Sequence, residues 1–159
     1  MTIETGRGLM VEIWGVDQQK LKLTVWAYQF GGGSHSEYDR NWLRIVIDVD
    51  SKQGKWKSND PSLLTWEFLS LIDWFKAIRN RQNTEAKLEF VEPNLAFSIL
   101  EEKPGRLLIR VHFDLESRPP NPSDQIDYYF DFELNSKGLN TLISRLEREI
   151  INFPVRNRL

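Results

Sequence analysis

The sequence predicts an α+β fold: an antiparallel sheet of about seven or eight strands with two amphipathic helices packed on it. Three observations carry this. Most of the chain falls into short segments that alternate apolar and polar residues with period two, as strands with one buried face do. The connections between most of them are tight turns, which suit antiparallel meanders; parallel pairing needs crossovers of about a dozen residues or more. Two stretches instead repeat their apolar residues near 3.6, one within residues 54 to 79 and one over residues 137 to 151. A chain of 159 residues suits one domain, residues 1–159, with a sizeable core.

Residues 9 to 14 begin as a short strand that Gly15 ends. After a turn at residues 16 to 19, residues 20 to 30 alternate with Leu21, Leu23, Val25 and Ala27 on one face, and the two segments suit a hairpin. Residues 31 to 39, GGGSHSEYD, read as a flexible connection. Residues 41 to 50 are a strong strand with Leu43, Ile45, Ile47 and Val49 together. A turn and a short strand at residues 55 to 57 then lead into the first helix.

That helix organises the chain. Asp60 is a good N-cap and Pro61 suits the first helical position, where no backbone donor is needed. Leu64, Phe68, Leu71, Phe75 and Ile78 form one stripe, flanked by Trp66 and Trp74. Such a helix needs a sheet to lie on. Four further strands follow. Residues 86 to 91 point Leu88 and Phe90 inward, and Pro93 marks a turn. Residues 95 to 101 return with Leu95, Phe97 and Ile99 on one face. Residues 106 to 116 place Leu107, Ile109, Val111, Phe113 and Leu115 inward, and residues 126 to 134 do the same with Ile126, Tyr128, Phe130, Phe132 and Leu134. Ser136 caps the second helix, whose apolar set is Leu139, Leu142, Ile143, Leu146 and Ile150.

Composition excludes several classes. Six Trp, nine Phe and four Tyr are material for a core. A net charge of −2 gives no strong footprint for nucleic acid or an anionic membrane. Without cysteine there is no disulfide, thiolate metal site or cysteine nucleophile. No apolar run is long enough to span a bilayer, and no basic segment followed by an apolar run marks a signal peptide. The expectation is a cytoplasmic protein without cofactor, with no nucleic-acid or membrane partner.

The chemical candidates each have a plain structural reading. In an extended segment His35, Glu37 and Asp39 would share a face and could bind a divalent metal; the plain reading is a solvated loop, and no metal site is assigned. GGGS at residues 31 to 34 lacks the Lys-Ser/Thr of a phosphate loop. His112 shares a polar strand face with Arg110 and Asp114, and with Asp127 or Asp131 across strands, where acid–base chemistry competes with an ordinary cross-strand ion pair. Glu89, Glu92, Glu101 and Glu102 are as consistent with surface acids as with a glycosidase pair. Trp26, Trp42 and Tyr28 lie opposite the aliphatic faces, where they could stack on a small ligand or carbohydrate. No catalytic residues are assigned.

Charge is distributed unevenly. Six acids against Arg118 alone occupy residues 114 to 133, whereas residues 137 to 159 carry five bases and two acids. Asp114, Glu116, Asp127, Asp131 and Glu133, with Tyr129 among them, make an acidic face suited to a basic protein surface.

Asn41-Trp42-Leu43, the strand at Trp56, Leu63-Leu64-Thr65-Trp66-Glu67, Glu92-Pro93-Asn94-Leu95 and Phe153-Pro154-x-Arg156 together resemble the WapI-like immunity proteins of bacteria, over about residues 40 to 156. The resemblance implies a non-enzymatic, cytoplasmic antitoxin found beside a polymorphic toxin. It would bind the toxin's C-terminal domain, often a nuclease, and block it by occlusion. An edge strand also leaves homodimer formation open. The alternative is a β-rich binder of a small ligand or carbohydrate, without catalysis.

Overall fold

The computed structural model describes residues 10–33 and 36–156. Eight strands form: β1 (Val11–Trp14), β2 (Lys20–Tyr28), β3 (Trp42–Ser51), β4 (Gly54–Leu64), β5 (Lys87–Leu88), β6 (Leu95–Lys103), β7 (Arg106–Phe113) and β8 (Tyr128–Leu134). A one-turn helix, α1 (Glu37–Asn41), precedes β3, and two long helices, α2 (Thr65–Arg79) and α3 (Ser136–Ile150), follow β4 and β8. All pairings are antiparallel.

The strands divide into two four-stranded meanders, β1-β2-β3-β4 and β5-β6-β7-β8. Alternation fixes which side chains face inward but not which strand ends a sheet. The break falls where α2 carries the chain away from β4. The free edge of β8 is closed locally: the Gln53 side chain donates to the Asp127 carbonyl at 2.7 Å and accepts from the Tyr129 N–H at 2.9 Å, as a neighbouring strand would. Gly15 lies against the same edge, so close that a Cβ there would meet the Asp131 carbonyl at 2.7 Å. Shielding of this kind keeps an edge from pairing with another chain.

One apolar cluster unites the inward faces of both sheets with both long helices. The stripe read on α2 is buried throughout: Leu64, Phe68, Leu71, Phe75 and Ile78. Phe75 meets Phe97 of β6 edge-on at 6.2 Å. Trp56 bridges the sheets, its ring edge-on to Phe113 at 5.6 Å and its indole N–H donating to the Ser117 carbonyl at 2.8 Å. Each such side chain contributes about 1.5–3 kcal/mol by leaving water.

Several boundaries differ from expectation. Asp60 and Pro61 do not start a helix; β4 continues through them, pairing Asp60 with Ile45 and Pro61 with Arg44. A ten-residue β3 offers a full ladder, and Pro61 is tolerated on an edge strand beside a register shift. The capping duty passes to Glu67, whose Oε1 accepts from the Leu64 N–H at 3.0 Å. The strand expected over residues 86 to 91 shrinks to β5, because Glu67 Oε2 takes the Val91 N–H at 2.8 Å and pulls the chain off the ladder. Leu115 and Ile126, expected inward, are 39% and 48% exposed. Asp114 accepts from the Leu115 N–H and turns the chain into a 3-10 turn, Leu115–Ser117, and β8 starts two residues after Ile126. Asn135, not Ser136, caps α3, accepting from the Gly138 N–H at 2.7 Å.

Candidate interaction surface

The outer face of the second sheet carries the residues expected to bind. Cross-strand register sets Arg110 opposite Asp131, His112 opposite Tyr129 and Leu108 opposite Glu133. Inward neighbours on β8 are Tyr128, Phe130 and Phe132, so the pleat turns Tyr129, Asp131 and Glu133 outward.

This face is a ladder of paired charges. Arg110 grips Asp131 with two hydrogen bonds, 2.7 and 2.8 Å, and its guanidinium lies 3.9 Å from the Tyr129 ring centre. Arg106 donates to Glu133 at 2.8 Å and also pairs with Glu101, which Lys103 approaches. Bidentate geometry makes the Arg110–Asp131 pair the strong kind of surface pair. His112 Nε2 and Ser98 Oγ are hydrogen-bonded at 2.7 Å. Burial, helped by the charges of Lys87 and Arg110, lowers the His112 pKa, so the ring is neutral at neutral pH. The cross-strand ion pair considered for this face is therefore present, between Arg110 and Asp131.

The six acidic-face residues come from two places, β8 with its approach and the turn after β7. Tyr129, Asp131 and Glu133 stand in a row on β8, and Asp127 is exposed just before it, with no ion pair among the described residues. Asp114 and Glu116 lie around the turn after β7. Arg118 reaches both Asp114 and Asp124, at 3.9 and 3.2 Å. Glu116 accepts from Asn94 at 3.2 Å and lies near Asp60, whose pKa is raised by burial and then by the Glu116 charge.

Other candidates take ordinary roles. His35 lies outside the described residues. Glu37 and Asp39 sit in α1, where residues two apart do not share a face, and Ser36 caps that helix through the Asp39 N–H. Among the described residues no group of three His, Asp or Glu could hold a metal. Glu89 is 3.7 Å from Lys87. Tyr28 cannot stack on a ligand: Arg156 covers its ring at 3.3 Å, and its hydroxyl donates to the Pro154 carbonyl at 2.6 Å. Burial raises the Tyr28 pKa, and the charge and hydrogen bond of Arg156 oppose it. Trp26 projects outward at a bulge in β2, and Trp42 is half-buried.

The residues behind the family resemblance converge on buried junctions. Asn41 is fully buried and fills its hydrogen-bonding capacity. Its amide donates to the carbonyls of Glu37 and Arg156, and its oxygen accepts from the Arg156 N–H and the Thr65 hydroxyl, all at 2.7–2.8 Å. Glu67 ties α2 to Val91, and the Asn94 carbonyl accepts from Ser117 Oγ and from the Asp114 N–H. Spacing alone gave no sign that the C-terminal Phe-Pro-x-Arg segment closes over Asn41, 115 residues away.

A family model described as the immunity protein WapI-like family matches residues 12–154. No curated protein and no solved structure matches the chain. Among the described residues no helix is long and apolar enough to cross a membrane.

Proposed function

The chain belongs to the WapI-like immunity protein family, and on that premise we propose that it neutralises a cognate toxin C-terminal domain by binding and occluding it, without catalysis. A nuclease is the toxin class that best matches an acidic receptor, because the surface that grips phosphates is basic. The single observation behind this reading is the outer face of the second sheet, where Asp127, Tyr129, Asp131 and Glu133 project side by side. We assign the contact to these four, extended by Asp114 and Glu116. Asp127 is the strongest attractor, since it is exposed and carries no ion pair among the described residues. Asp131 and Glu133 would exchange their arginine partners for basic groups of the toxin. Family membership supports an immunity role in cells that produce such a toxin, and so a cytoplasmic one.

Reversing Asp127, Asp131 and Glu133 to lysine is expected to weaken binding of the toxin domain encoded beside the gene by roughly 10- to 100-fold, mostly through slower association. Titration calorimetry at two salt concentrations measures this. An unchanged affinity would remove the proposed surface while leaving the immunity role intact.

A further inference from the structure

α3 presents a basic stripe that the toxin reading does not use. Lys137, Thr141, Ser144, Arg145 and Arg148 follow one another at steps of four, three, one and three along its exposed side. This stripe holds three bases and no acid. The two acids of the helix are occupied or hidden, Glu147 by Lys76 at 2.8 Å and Glu149 by burial. The acids on neighbouring strands are engaged as well, Glu12 with Lys20 and Glu133 with Arg106. Among the described residues the three bases form no ion pair; Arg145 donates only to the Glu12 carbonyl, at 3.3 Å.

The stripe runs into a cleft of about 440 Å³ between the end of α2, the β6–β7 turn and the start of α3. Asn140 borders both. The cleft has an apolar floor of Ile78, Leu107 and Leu139, and its rim carries Arg79, Arg81, Lys103 and Arg106 beside one carboxylate, Glu102; Lys103 and Arg106 also pair with Glu101. We propose that this cleft and stripe are a second docking surface, for an acidic segment of a partner protein that places one apolar side chain in the cleft. Charge complementarity selects an acidic partner, and the apolar floor supplies the pocket that an anchoring side chain needs. Nucleic acid fits less well. The stripe offers three charges over ~17 Å of helix, whereas duplex DNA carries one per ~1.7 Å.

The test is fluorescence anisotropy with a short labelled peptide repeating two glutamates and one leucine, at low salt, with a dT oligonucleotide as competitor class. The variants are Arg79→Glu with Arg81→Glu, and Lys137→Glu with Arg145→Glu and Arg148→Glu, all at exposed positions. Each is expected to weaken peptide binding at least about tenfold, with unchanged circular dichroism, while reversal of Asp127, Asp131 and Glu133 does not weaken it. Absence of binding by the native protein, equal binding by the variants, or oligonucleotide binding as tight as the peptide's would each overturn the proposal. None of these outcomes involves the toxin, so failure here leaves the toxin reading untouched.

Discussion

Replacing Asn41 with leucine is expected to lower the unfolding free energy by about 3–5 kcal/mol, from the loss of a buried hydrogen-bond hub. Leucine is near in size, so little of this comes from a cavity. The cost comes from the partners left behind. The Arg156 N–H and carbonyl, the Thr65 hydroxyl and the Glu37 carbonyl all lose their bond at once, and Thr65 is fully buried. An orphaned buried polar group costs about 1–3 kcal/mol. Urea denaturation measures it as a lower midpoint with unchanged slope. Because Arg156 meets Asn41 through its backbone, Arg156→Ala should be much milder, losing only the ring contact with Tyr28 and the bond to the Phe30 carbonyl. Truncation after Val155 should overlap with Asn41→Leu and not add to it, as expected for residues of one network. Full additivity, or a midpoint change worth less than about 1 kcal/mol, would refute the hub.

How far the sequence could be read follows from the range of each interaction. Stripes and alternation are local, so the apolar sets of α2, α3 and most strands were legible residue by residue. Capping at Asp60 and Pro61 was a sound local signal that lost to pairing with β3, a partner some fifteen residues away whose ladder the local pattern does not contain. The candidate surface was half legible. Alternation placed Tyr129, Asp131 and Glu133 outward on one face. The pairing of Arg110 with Asp131 depends on register across the 114–127 connection, and alternation does not fix register across a loop of that length. Asp131 and Glu133 of that run are therefore paired with arginines in space, whereas Asp127 forms no ion pair among the described residues. The reverse happened at α3, where burial of Glu149 and capture of Glu147 made a mixed helix present only bases along one stripe.

The buried carboxyl of Glu149 should make the protein lose stability as pH rises toward and past 7. Glu149 is 6% exposed; its Oε2 accepts from the Val25 N–H at 2.8 Å, beside the β2 bulge, and its Oε1 has no partner among the described residues. Burial pushes its pKa up from 4.5 to about 7, and the single backbone hydrogen bond only partly opposes this. The folded state therefore holds the proton more tightly than the unfolded chain does. The stabilisation is full below pH ~4.5 and is lost as pH rises to ~7, with a total of about 3 kcal/mol at 1.36 kcal/mol per pKa unit. His112 works in the opposite sense: its depressed pKa costs stability as pH falls below its ordinary value. The wild-type profile thus mixes both. Glu149→Gln separates them, because glutamine keeps an acceptor for Val25 and cannot ionise. The variant should be more stable than wild type at pH 8.5 by about 1–3 kcal/mol, and should lose that advantage at pH 5. Thermal unfolding of the two proteins at both pH values decides it. Parallel profiles would mean that water reaches the Glu149 carboxylate.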